Sequence, residues 1–317
     1  MEEPIPTANE RTGRQHVLAV LQALLVTFLW STSWVLIKVG MDDLDLAPLS
    51  FAGLRYALAA MILLPFGIRA MRAAHAATPL SIGLLRRVAF YGLLFVVVAQ
   101  GAQYAALAVL PATAVSLVLS SIPAVVALMA LRGRRERATL GQAAGIGLLT
   151  LGAILYFGPF EVAADAAIGF AAAAVCVTAA ALSSHLGRRL ARDAIGRLGG
   201  PAGLTSTSMF IGAVVLLAVG VTVEGWPRLD IRGWLIVGWL AVVNTAFAFT
   251  LWNHTLRTLT AVESSVVNNT MTIQIAVLAV VLLGERLEPL QLIGLLLAAA
   301  GAAVVQLAPV LQTRYRR

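Results

Sequence analysis

The chain has 317 residues, of which 60% are hydrophobic and 12% charged. Soluble domains carry about 25% charged residues, so this composition excludes an ordinary soluble fold. The single cysteine, Cys176, excludes a disulfide framework and a cysteine metal cluster, and the +8 net charge must be judged by where it sits.

Residues 1–16 form a polar tail. The apolar run that follows has full spanning length, so it is expected to stay as a membrane helix and not to be cleaved as a signal peptide. Ten such runs follow one another, at about 17–39, 48–70, 88–110, 112–131, 139–158, 167–190, 203–223, 231–254, 260–283 and 289–309. Each approaches the ~20 residues that cross a bilayer as a helix. The connections leave no room for a soluble domain, and residues 310–317 form a basic tail. The expected fold class is an all-α integral membrane protein in contact with the lipid bilayer.

With the N-terminus placed in the cytoplasm, 18 of the 23 lysines and arginines fall on cytoplasmic segments and three (Arg228, Arg232, Arg286) on the opposite side. Lys38 and Arg55 lie within helices. This bias is the signal that orients membrane proteins. The basic excess thus reads as a topology device and not as a nucleic-acid footprint.

One passage occurs twice. GRRERATLGQAAGIGLLTLG, 133–152, aligns without a gap on LLGERLEPLQLIGLLLAAAG, 282–301, at an offset of 149 residues. Glu136 falls on Glu285, Arg137 on Arg286, Gln142 on Gln291, Gly145 on Gly294 and Gly152 on Gly301. Each half holds five spans, an odd number, so the second copy enters the membrane upside down. That explains why the first copy is rich in arginine and the second is not. The chain therefore reads as two inverted five-helix repeats, 17–158 and 167–309, around a central cavity, an arrangement typical of secondary transporters.

Four stretches carry a family resemblance: WSTSWVLIK (30–38), PLSFAGLR (48–55), LPATAVSLVLSSIPAVVALM (110–129) and GERLEPLQLIGLLLAAAG (284–301). Together they resemble the drug/metabolite transporter superfamily, in the form with two EamA domains, over nearly the whole chain. The sequence departs from that pattern in places. The position of Pro123 holds Thr272 in the second half, Arg55 has only Ser206 and Ser208 near its counterpart, and the first acid sits in GRRER where L-G-E-R is usual. The resemblance implies ten helices, cytoplasmic termini, a central cavity and efflux of small metabolites, often amino acids.

Polar groups inside hydrocarbon usually face a cavity or a partner helix. In the third span Gln100, Gln103 and Tyr104 share a face, and the offset carries them onto Phe249, Trp252 and Asn253. In the fourth, Thr113, Ser116 and Ser120 map onto Val262, Ser265 and Asn269. Asn269 is expected to face the cavity, and Asn268 to bond a neighbouring helix. Asn244 and Gln274 lie mid-span in helices eight and nine. Trp30 is too deep for an interfacial belt, and with Trp34 it reads as a cavity wall, lipid-facing packing being the alternative. The expected substrate-binding set is thus Trp30, Trp34, Gln100, Gln103, Tyr104, Ser120, Asn244, Trp252, Asn269 and Gln274. Helix–helix bonding is the competing role for the amides.

Four titratable or cationic residues are candidates for gating or coupling. Lys38 and Arg55 are placed near the outer side, close to Asp42, Asp43 and Asp45, as an external gate of ion pairs or as snorkelling cations. Glu263 is the one acid within a span, which suits a proton carrier, but Thr260-x-x-Glu263 also spells a capping box, the preferred reading. His185 is a candidate by residue type alone and lies toward the cytoplasmic end, where an interfacial role is the alternative. The four histidines lack metal-ligand spacing, and the chain calls for no metal, cofactor or catalytic set. Helices five and ten read as glycine-packed scaffold that also offers a homodimer contact.

The resulting expectation is a bacterial inner-membrane carrier exporting amino acids or related zwitterionic or aromatic compounds. A carrier of nucleotide-sugar, lipid-linked or drug-like substrates is the main alternative, and a non-transporting membrane protein is the second.

Overall fold

The computed structural model describes residues 8–74, 81–132, 140–158, 164–194 and 198–315. Among them all regular structure is helical, as expected where lipid offers the backbone no hydrogen-bond partner. Among the described residues ten helices are long and apolar enough to cross a membrane. They are α1 (Ala8–Asp42), α2 (Pro48–Ala74), α3 (Ile82–Val109), α4 (Ala112–Leu119 continued by Ile122–Arg132) and α5 (Leu140–Phe157), then α6 (Ala164–Ala194), α7 (Pro201–Glu224), α8 (Ile231–Thr255), α9 (Ala261–Leu282) and α10 (Pro289–Tyr315). An even number of crossings places both ends of the chain on one side, here called the termini side.

The repeat is visible in the helix starts. α3, α4 and α5 begin at 82, 112 and 140, and α8, α9 and α10 begin at 231, 261 and 289, each 149 residues later. α3 carries a π-helical segment at Leu93–Gln100, and α8 carries one at Val242–Phe247, at the same offset. Such wide turns interrupt the usual i to i−4 ladder and are frequent at functional sites. α4 is broken at Ser120–Ser121. Pro123 lacks the N–H that Leu119's carbonyl would accept, and its ring crowds that carbonyl.

The echoed glycines pack α5 against α10. A Cβ on Gly145 would lie 2.7 Å from Val305 N and 2.8 Å from Gly301 O; on Gly294 it would lie 2.6 Å from both Gly152 O and Tyr156 N. The pair Gly145–Gly301 is carried by the offset onto Gly294–Gly152, so the contact is symmetric about the axis relating the repeats. The scaffold role expected for these glycines is thus an α5–α10 contact within the chain.

The side opposite the termini is fastened by carboxylates on helix N-termini, where unpaired N–H groups and the helix dipole favour an anion. Glu224, at the end of α7, accepts from Leu49 N at 3.0 Å and Ser50 N at 2.7 Å at the start of α2. Glu285, from the α9–α10 turn, accepts from Ala112 N at 2.6 Å and Thr113 N at 3.2 Å at the start of α4. The repeated glutamate is therefore a helix cap joining one half to the other. Its echo Glu136, with Arg137 and the rest of the basic stretch 133–138, lies outside the described residues.

Candidate functional site

A cavity of about 670 Å³ lies between the two repeats. Its lining runs from Arg55, Ser33 and Trp34 at depth to Ser184, Leu256, Ser264 and Gln306, toward the termini-side ends of α6, α8, α9 and α10. Seven pairs of lining residues are related by the 149-residue offset: Gln100 and Phe249, Gln103 and Trp252, Ser116 and Ser265, Leu119 and Asn268, Ser120 and Asn269, Ile122 and Met271, Pro123 and Thr272. The axis relating the repeats thus passes through the cavity.

One wall is aromatic. The Trp30 ring lies 5.3 Å from both Phe249 and Trp252, tilted against each, and Phe95 meets Phe249 edge-on at 6.5 Å. Trp34 joins this lining and is buried. Such tilted and edge-on contacts hold rings in fixed orientation and leave their faces for an apolar ligand. The other walls carry hydroxyls and amides from α3, α4 and α9. Tyr56 OH donates to Gln100 Oε1 at 2.6 Å, which orients that amide.

The structure brings seven of the ten expected substrate-binding residues to this cavity: Trp30, Trp34, Gln100, Gln103, Ser120, Trp252 and Asn269. The other three are engaged elsewhere. Tyr104 is fully buried, and its hydroxyl accepts from Arg55 Nη1 at 3.1 Å. Asn244 lies in the π-segment of α8 and donates to Leu29 O and to Thr32 Oγ1, fixing α8 to α1. Gln274 joins α9 to α1: its Oε1 accepts from Ser31 Oγ at 3.0 Å and its Nε2 donates to Thr27 Oγ1 at 3.3 Å.

Of the neighbouring asparagines, Asn269 was expected in the cavity and Asn268 against a neighbouring helix. Both line the cavity, but Asn269 spends its Nδ2 on Ala299 O of α10 at 2.8 Å, while Asn268 is the exposed one. Among the lining residues that sequence reasoning missed are Tyr56 and Phe95. Tyr56 follows Arg55 in sequence, and an aromatic hydroxyl beside an intramembrane cation was the available signal.

The four gating candidates separate. Lys38 pairs with Asp42 at 3.1 Å and donates to Leu107 O at 3.0 Å, holding α1 to α3 on the side opposite the termini. Among the described residues Arg55 has no such partner; it is buried in the cavity wall, and Asp42 pairs with Lys38 instead. His185 is exposed and outside the cavity lining. Glu263 forms the full capping box with Thr260, accepting from Thr260 N at 2.8 Å, and meets His16 Nε2 at 3.1 Å. It too is absent from the cavity lining. Glu263→Gln is expected to keep both flux and its pH dependence, measured at acidic and neutral pH; loss of the pH dependence with binding intact would show that this carboxylate carries a proton.

Ten membrane helices, a two-fold repeat and a cavity on the repeat axis define a multi-pass membrane protein of the transporter kind. The chain belongs to the EamA-like transporter family, whose model matches it twice, over residues 17–158 and 167–307. A crystal structure described only as that of a protein is similar over 96% of this chain and 99% of its own, with a TM-score of 0.64 and 20% identity. That likeness concerns the fold. No curated protein sequence matches the chain.

Proposed function

We propose that the chain is a secondary carrier, without catalytic activity, that exports small zwitterionic or aromatic metabolites, foremost amino acids, across a bacterial inner membrane. The supporting observation is the cavity on the repeat axis, with its aromatic wall and its neutral amides and hydroxyls. Cavities at repeat interfaces are where secondary transporters hold cargo, and alternating access follows from rocking one half on the other. The cavity's lining reaches the termini side, and the opposite side is fastened by Lys38, Glu224 and Glu285. The excess of arginine on the termini side supports a cytoplasmic placement of that side. The cavity then faces the compartment from which an exporter loads.

A nucleotide-sugar carrier must neutralise a diphosphate. Only one basic residue, Arg55, occurs among the described residues of the lining, which favours the smaller cargo.

The test is flux from proteoliposomes loaded with labelled amino acids and related metabolites. Selective, saturable exit is expected. Trp252→Ala is expected to weaken apparent affinity about 10-fold, the value of one ~1.5 kcal/mol aromatic contact. Absence of exit for every member, with folded protein, would remove the reading.

A further inference from the structure

Arg55 is 5% exposed and sits two turns inside α2 from its start at Pro48. It is the one charged residue among the described residues lining the cavity. Its held contacts are neutral: Nε donates to Thr245 Oγ1 at 3.0 Å, Nη1 donates to Tyr104 OH at 3.1 Å, and the guanidinium carbon lies 5.2 Å from the Tyr56 ring centre. Among the described residues, no Asp or Glu lines the cavity or pairs with Arg55; the two ion pairs present are Lys38–Asp42 and His16–Glu263.

An intramembrane cation without an anion is costly to keep, and such residues mark ligand or ion pathways. A guanidinium has five N–H groups in a planar fork that matches a carboxylate, and these contacts use only two of them. The same contacts fix the fork from both repeats, since Tyr104 stands on α3 and Thr245 in the π-segment of α8. The opposite charge on a cargo finds no such provision. An ammonium in this cavity meets only neutral acceptors, such as the amide oxygens of Gln103 and Asn268.

We propose that Arg55 receives the carboxylate of the transported molecule while the Trp30–Phe249–Trp252 wall receives its apolar part. The cavity therefore selects monocarboxylates with an aromatic or large apolar group, treats the ammonium as optional, and rejects amines that lack a carboxylate. This rests on the carrier reading and narrows it.

The experiment is titration calorimetry of the purified protein in lipid nanodiscs with three probes of similar shape: tryptophan, indole-3-propionate and tryptamine. Tryptophan and indole-3-propionate are expected to bind, and tryptamine to bind at least ~10-fold more weakly, as loss of one charge-assisted contact implies. This comparison uses the unaltered protein and stands even if Arg55 variants fail to fold. In folded Arg55→Gln the two carboxylates are expected to weaken by ~10-fold or more, with partial recovery in Arg55→Lys, which keeps the charge but not the fork. Tryptamine binding as tightly as indole-3-propionate, or unchanged carboxylate binding in folded Arg55→Gln, overturns the assignment. If none of the three binds while labelled metabolites still leave proteoliposomes, the carboxylate assignment fails and the carrier stands. If flux is absent as well, both fail.

Discussion

Glu285→Ala is expected to destabilise the folded protein by about 3 kcal/mol and to open the side away from the termini. The Glu285 carboxylate accepts three hydrogen bonds, from Ala112 N at 2.6 Å, Thr113 N at 3.2 Å and Thr113 Oγ1 at 2.6 Å. Tyr156 OH, 2.7 Å from Thr113 Oγ1, continues the network onto α5. Hydrogen bonds to a charged group contribute about 1.5–3 kcal/mol each and are not additive within one network, which sets the estimate. Removing the carboxylate also leaves the first N–H groups of α4 without their partner. Thermal unfolding in detergent measures the stability. Labelling of a cysteine placed at Ala112, in a Cys176→Ala background, with a membrane-impermeant maleimide measures the opening. Glu285→Gln keeps an acceptor and is expected to lose roughly half as much. Unchanged stability and unchanged labelling in Glu285→Ala would show that the cap is not what closes this side.

Gly152→Val is expected to have the larger effect, at least ~4 kcal/mol, and to leave little folded protein. The first added carbon would already lie 2.5 Å from Ala298 N and 2.5 Å from Gly294 O, both backbone atoms on α10. Neither can move without separating the two helices. Gly147 on the same helix is the control: it is exposed and a Cβ there meets nothing within 4 Å. Gly147→Val is expected to stay within about 0.5 kcal/mol of the parent protein. Recovery of monodisperse protein from detergent, followed by thermal unfolding, separates the two. Equal recovery would show that α5 and α10 pack less closely than the backbone distances state.

The ten helices and the repeat were legible because lipid leaves a spanning backbone few options, and because close packing preserves glycines while surface charges drift. Much of the cavity was legible through depth and the 149-residue offset, which brought out Gln103 with Trp252 and Ser120 with Asn269. Rotation about each helix axis was not. Gln274 and Asn244 sit at suitable depths, yet α1 passes close enough to take their amides. Arg55 was misjudged differently. Three nearby aspartates drew it toward the surface, although seven residues of helix beyond Pro48 amount to about 10 Å of depth. The role of Glu285 was hidden because its partners, the N–H groups of α4, lie more than 170 residues away.

The matched wide turns in α3 and α8 also keep the two halves in register. A wide turn seats an additional residue, so its gain by one half alone would leave the halves one position out of step beyond it. They are in step: α4 and α9, then α5 and α10, still begin 149 residues apart. Removing a residue from one wide turn alone would rotate the rest of that half by about 100° against its counterpart, and the paired faces of the cavity would no longer meet.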